Sequence, residues 1–179
     1  KYILERIDLT RDIHFHTNTT IDTLDYSGTG INMGSKVVFA AYGKPLRELS
    51  TTIPECLKNL NAFSNPTIVL PGIIALQAGK FENYESAKNE LTILNDQLKD
   101  KAETLQQTPM IIICDNADFV SQTLNNFLWV SFTRCNPSHD MYGINSFTSN
   151  KHWGCNGPLI IDARIKPHHA PPLEISSAA

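Results

Sequence analysis

The segment YSGTGINMGSK, Tyr26 to Lys36, holds three glycines and a closing lysine, the raw material of a phosphate cradle. Such a cradle needs GxxxxGK[ST] after a strand and before a helix, so that backbone N–H groups and the helix N-terminus surround the anion. Here Ser35 precedes Lys36 instead of following it, and the chain runs on into the β-type residues Val37, Val38 and Phe39. The dinucleotide pattern GxGxxG fails too, because GTGINMG is one residue too long and also leads into a strand. The segment therefore reads as a chain reversal between two strands, with Gly28, Gly30 and Gly34 supplying positive φ. An anion contact made by the turn is the alternative.

Six histidines raise the question of a metal. His14 and His16 are spaced HxH, and alternate side chains of a strand share one face, so the two rings can converge on one ion. The spacing brings no carboxylate or third ligand to them, and no metal site is assigned. His168 and His169 fall in a proline-rich tail, where exposure is expected. The four cysteines, Cys56, Cys114, Cys135 and Cys155, form no CxxC pair. A chain of this length does not need disulfide staples, which points to a reducing cytosol and a cytoplasmic location. Cys114 closes the apolar run MIIIC and reads as a small buried hydrophobe; Cys135 and Cys155 are expected to be more exposed. No nucleophile–base pair is apparent, so no catalytic residue is assigned.

The densest polar stretch joins a helix end to a strand and carries Arg134, Asn136, His139, Asp140, Asn145, Asn150, Lys151, His152 and Trp153. Loops of this kind at the edge of an α/β sheet commonly form binding walls. A surface loop tied down by its own Asn and Ser turns is the competing reading.

The elements that would position these residues follow from hydrophobic spacing. The opening 26 residues, KYILERIDLTRDIHFHTNTTIDTLDY, are rich in Ile, Thr, Phe and Tyr and read as extended. KVVFAAYG is expected to be a strand buried on both faces, IVLPGIIAL a strand entering a Pro-Gly turn, and MIIICD and PLIIDARI two more buried strands. A helix is predicted from Tyr84 to Leu105, with Asn83 as N-cap, because Tyr84, Ala87, Leu91, Leu94, Leu98, Ala102 and Leu105 recur at steps of three or four. It reads as a helix lying on a sheet, with a coiled-coil seam as the alternative. A second helix is predicted over Val120 to Thr133, more apolar all round and expected to be more buried.

Apolar strands alternating with helices give an α/β; three-layer α/β/α sandwich with a mixed β-sheet, because continuous apolar strands must be covered on both faces. One domain is expected over residues 1–166, followed by an extended Pro-rich tail over 167–179. The composition of the 179 residues is that of a folded globular chain, with 41% hydrophobic and 18% charged residues. A net charge of -3 offers no positive field for a polyphosphate backbone, which argues against nucleic acid. The most apolar segment, TIVLPGIIAL, is too short to cross a bilayer and is broken by Pro71 and Gly72. The first residue is Lys1, with no signal-type region after it, and the chain is expected to be a piece of something longer.

FLWVSFTRCNPSHD resembles the helix of the UbiD-type carboxy-lyases (the 3-octaprenyl-4-hydroxybenzoate decarboxylase family), in which an acidic strand end is followed by a W-A--TR--P--D pattern. The matching residues are Trp129, Thr133, Arg134, Pro137 and Asp140, preceded by Asp115 and Asp118. GPLIIDAR resembles the family's K-GIDAT strand at Ile161, Asp162 and Ala163. The chain departs from the pattern at Asn116 and Ala117 and in the SNKHWGCNG loop. The resemblance implies the C-terminal domain of a non-oxidative decarboxylase acting on aromatic or α,β-unsaturated carboxylic acids. It implies prenylated FMN and a divalent metal for the full-length protein, both held with the catalytic groups by an N-terminal flavin-binding domain of the same polypeptide. This portion is then expected to be inactive alone and to supply cleft wall and a homo-oligomer interface. The polar loop Arg134 to Trp153 is the part expected nearest that cleft, with Arg134, Asn150, Lys151 and His152 as candidate cleft residues. A free-standing α/β module for a small anion or nucleotide, and a purely structural assembly domain, are the alternatives.

Overall fold

A computed structural model describes residues 1–169; of the expected tail, residues 170–179 lie outside the described residues. The elements run α1 (Tyr2–Arg6), β1 (Ile13–Thr19), β2 (Gly34–Phe39), β3 (Phe63–Leu70), β4 (Ile73–Ala78), α2 (Tyr84–Leu98) and β5 (Met110–Cys114). They continue with α3 (Ala117–Gln122), α4 (Leu124–Thr133), α5 (Pro137–Asp140), β6 (Met141–Gly143), β7 (Ser146–Ser149), β8 (His152–Cys155) and β9 (Leu159–Asp162).

Five strands make the central sheet in the order β3-β4-β5-β9-β6. β4, β5 and β9 are parallel, while β3 and β6 pair antiparallel at the two edges, so the sheet is mixed as its sequence predicts. Every residue of β5 is buried, as an apolar run covered on both faces requires. Alternation along β4 and β5 sends Ile74, Leu76, Ile111 and Ile113 to one side, against Leu91, Leu94 and Leu98 of α2. Ala75, Ile112 and Cys114 face the other side, against Val120 of α3, Phe127 and Val130 of α4, and Ile13 of β1. This is the α/β layering expected from the sequence. Asn83 caps α2 through its side chain, which accepts from the Ser86 N–H at 2.9 Å.

Four local expectations are corrected. The opening segment begins with the helix α1; the Arg47 guanidinium donates to the carbonyls of Leu4 and Ile7 at 2.8 and 2.7 Å, satisfying groups that the helix end leaves open. β2 is not doubly covered: it pairs only with β1 in a two-stranded ribbon, and Val38 is 47% exposed. The second helix breaks at Thr123, whose extended backbone (φ -145°) and side chain cap α4 by accepting from Asn126 N–H. Only Phe127, Val130 and Ser131 of α4 are buried, while Leu124, Trp129 and Phe132 are exposed by 53%, 63% and 73%. Residues 167–169 turn back rather than extend, with His169 N–H donating to the Lys166 carbonyl at 3.0 Å.

The glycine segment joins β1 to β2 as a reversal, but Gly28, Gly30 and Gly34 do not adopt positive φ; Asn32 does, at 58°. Space is the constraint there: a Cβ on Gly28 would collide with the Met33 carbonyl and Ile21, and one on Gly34 would lie 2.8 Å from Ile21 Cδ1. The β3–β4 turn does need glycine, since Gly72 has φ 78° and an added Cβ would lie 2.7 Å from Leu49 Cδ2. Gly72→Ala is expected to cost about 1–2 kcal/mol from the left-handed backbone alone, read as a lower midpoint in urea unfolding with an unchanged slope.

Candidate functional site

Because β4, β5 and β9 run parallel, their carboxyl ends lie along one edge of the sheet, the edge at which open α/β sheets bind ligands. β9 leaves that edge as Asp162-Ala163-Arg164-Ile165-Lys166. Asp162, Arg164 and Lys166 are each 1% exposed, so two cations are buried within three residues of each other. Burial of this kind is tolerated only with full pairing. Arg164 Nη2 reaches Asp162 Oδ2 at 2.8 Å and its Nε reaches Oδ1 at 3.0 Å, while Nη1 donates to the Gly79 carbonyl at 3.1 Å and lies 2.7 Å from Glu90 Oε2 on α2. Lys166 Nζ donates to the carbonyls of Asp162 and Arg134 at 2.8 and 2.9 Å and lies 3.3 Å from Asp140 Oδ1. The Phe81 ring covers both cations, with Arg164 Cζ 5.6 Å and Lys166 Nζ 5.4 Å from its centre.

Asp140 ends α5, is 1% exposed, and accepts the Asn136 N–H at 2.7 Å. Burial raises its carboxyl to about 6; the nearby Lys166 charge and the Asn136 N–H oppose that rise, and Asp162 adds to it. The phenols of Tyr84 and Tyr142 are also pushed up, first by burial and then by the Asp140 charge, Tyr142 to about 12. They stay neutral donors at physiological pH.

The four predicted cleft residues fall in two places. Arg134 follows α4 at the carboxyl edge, where its Nη1 lies 3.3 Å from Asp115 Oδ2, an oxygen that also accepts the Ile165 N–H at 2.9 Å. Asn150 and Lys151 form the tip of the β7–β8 hairpin, with φ 49° and 65°, the mirror-image turn that a tight hairpin favours. His152 opens β8, and its Nε2 lies 3.1 Å from the Thr10 carbonyl oxygen. The last three line a cleft of about 490 Å³ between β1, α5 and the hairpin, floored by Ile13, Met141 and Trp153. Arg134 is not among its lining residues. α5 is the wall shared by the two places: Asn136 and Asp140 belong to the edge, and Pro137 and Ser138 to the cleft. Ser35 clamps this wall to β2, donating to Asn136 Oδ1 and accepting the Ser138 N–H at 2.8 Å.

Cys135 and Cys155 are buried, 8% and 1% exposed, contrary to the sequence expectation, because both pack into the core beneath α4 and β8. Burial pushes the thiols of Cys114 and Cys155 up to about 12 and that of Cys135 higher, so none is a nucleophile at neutral pH. His168 is exposed as expected, but His169 is half-buried and accepts the Lys166 N–H at 3.2 Å; burial, then Lys166, lowers its ring to about 4. Arg164, Lys166 and Glu90 were not legible as site residues; the only sequence signal was a run of alternating charges directly after a buried strand.

Comparison with known proteins follows the same lines. A family model described as the 3-octaprenyl-4-hydroxybenzoate carboxy-lyase C-terminal domain matches residues 1–41. A Chlamydia pneumoniae protein, named as one of the subunits of a 4-hydroxybenzoate decarboxylase, is 29% identical over 183 residues, covering 97% of this chain and 27% of that protein. The similarity is therefore to the C-terminal domain of the UbiD-type carboxy-lyases. Uncharacterized proteins of Chlamydia trachomatis serovar D and Chlamydia caviae are 29% and 28% identical, covering 98% and 96% of this chain. The chain spans about a quarter of the length of the curated relatives it matches (27–28%). For a UbiD-type flavin or its metal, the described residues are a poor fit. No group of three or more His, Cys, Asp or Glu side chains among them converges on one point, and the glycine segment leads into β2 rather than a helix. No helix among them is long and apolar enough to cross a membrane.

Lys166→Met leaves Asp140 buried without its counter-charge and is expected to cost about 3–5 kcal/mol in denaturant unfolding, while Asp140→Asn with Lys166→Met should cost less than the two single changes summed. Carboxyl NMR of the wild-type chain should show Asp140 titrating near about 6. Its folded value exceeds the ordinary value of about 3.9. The stabilisation it contributes is therefore full below that ordinary value and is lost as pH rises through the folded one. A midpoint near the ordinary value would remove the buried charge from this description.

Proposed function

We propose that this chain is the C-terminal domain of a UbiD-type non-oxidative decarboxylase for aromatic or α,β-unsaturated carboxylic acids, folding as one domain over residues 1–166. It supplies cleft wall and assembly surface, while prenylated FMN, its divalent metal and the catalytic groups sit on an N-terminal flavin-binding domain in the cytoplasm. The observation that carries this reading is the alignment of nearly the whole chain with about a quarter of a protein named as part of a decarboxylase. Two features of the fold support it. At the carboxyl edge Arg164 and Lys166 are paired with Asp162, Glu90 and Asp140, so these charges brace a wall. Decarboxylation needs both a sink for the developing carbanion and a proton donor. The outer face of α4 carries Leu124, Leu128, Trp129 and Phe132 in the open, the composition of a surface that another chain covers.

Purified chain incubated with prenylated FMN and an aromatic acid should release no CO2 and keep no flavin absorbance through gel filtration. CO2 release by the chain unaided contradicts the proposal. Sedimentation of the same chain should show a self-association that Trp129→Ser with Phe132→Ser weakens; an unchanged sedimentation profile removes α4 from the assembly surface.

A further inference from the structure

The HxH pair of β1 has a partner that the sequence does not reveal. His14 and His16 share the open face of the strand, yet the ring beside His14 is His152 of β8, with ring centres 5.8 Å apart and planes inclined at 55°. On the opposite, inward face the next residues repeat the pairing: Phe15 meets Trp153 edge-on at 5.4 Å. β8 thus runs alongside β1, and the half-buried Phe15–Trp153 contact sets the register that brings the two imidazoles together. Cys155 N–H donating to the Leu9 carbonyl at 3.1 Å fixes the far end of the same alignment.

The His152 ring is oriented by the backbone. A carbonyl oxygen only accepts, so the 3.1 Å contact between Nε2 and Thr10 O puts the hydrogen of the neutral ring on Nε2. Nδ1 is left with a free lone pair. A ring N–H held by a backbone carbonyl, with the other nitrogen bare, is the usual state of a metal-ligating histidine. An ion about 2.0–2.1 Å from one nitrogen of each ring sets the ring centres roughly 5–6 Å apart at tetrahedral to wider angles, and the pair already has that spacing.

We propose that His14 and His152 form a binding site for a borderline divalent cation of the zinc, nickel or copper class, the class that imidazole suits. The site opens into the cleft between β1, α5 and the hairpin. Two imidazoles are the protein ligands, and water fills the remaining positions. His16 lies on the same face but is not a ligand. Lys151, at the exposed hairpin tip, keeps its charge hydrated. The site is separate from any metal that accompanies a flavin, and it does not depend on the decarboxylase reading.

Calorimetric titration of the full chain with Zn²⁺ at neutral pH tests it. One site is expected, weakened roughly tenfold or more by His14→Ala and by His152→Ala, and left within about threefold by His16→Ala. Because His152→Ala also removes a bond to Thr10, a second measurement uses the wild-type chain: substoichiometric Ni²⁺ should broaden the ring resonances of His14 and His152 before those of His16, His139 and His168. Absence of Zn²⁺ binding, full retention of affinity in His14→Ala, or first broadening at other histidines would overturn the site.

Discussion

Two buried cations at the exit of β9 are the constraint on which the rest of this structure depends. In extended chain every second side chain points the same way, so Asp162, Arg164 and Lys166 all turn inward together while Ile165 stays partly exposed. The desolvation cost of each ion is several kcal/mol, and only complete pairing offsets it. Arg164 finds its partners on β9, at the end of β4 and on α2. Lys166 finds them on β9, at the end of α4 and on α5. The two side chains therefore tie together elements on both faces of the sheet, which the hydrophobic layers alone would pack with less specificity.

That bracing has a consequence for the cleft. α5 is only four residues long and has no side-chain cap, so it cannot hold its position by helix formation. It is held from beneath by Asp140 on Lys166 and from the side by Ser35 on Asn136 and Ser138. The opposite wall, the β7–β8 hairpin, leans on β1 through Phe15 and Trp153. A cleft with one wall fixed by buried charge and the other by aromatic packing is preformed, as the cleft-wall role proposed above requires. Each of these charges is committed to a structural partner.

Much of the scaffold was legible because it is written locally. Ile111, Ile112 and Ile113 in one run specify a doubly covered strand, Pro71-Gly72 specifies the hairpin turn, and the leucines of α2 with Asn83 specify a capped helix on a sheet. What was not legible depends on residues far apart in the chain. Asp162, Arg164 and Lys166 look like the alternation of a half-wet strand until Glu90, Gly79 and Asp140 are brought to them. α1 forms where β-type residues predict extension, because Arg47 reaches back to its carbonyls. α4 exposes the apolar residues that suggested burial, since the break at Thr123 leaves a narrow stripe toward the sheet. Arg134 and the hairpin residues read as one polar loop but are divided by α5.

Amide hydrogen exchange on Arg164→Leu measures the bracing most directly. Glu90 would lose its buried partner, and Asp162 would be left unpaired beside Lys166. Protection should fall together in α2, in residues 162–166 and in α5, as in a cooperative unit that opens when its shared tie is cut. Loss confined to residues 162–166, with α2 and α5 as protected as in the wild-type chain, would show that the apolar layers hold the edge and that the buried charges do not.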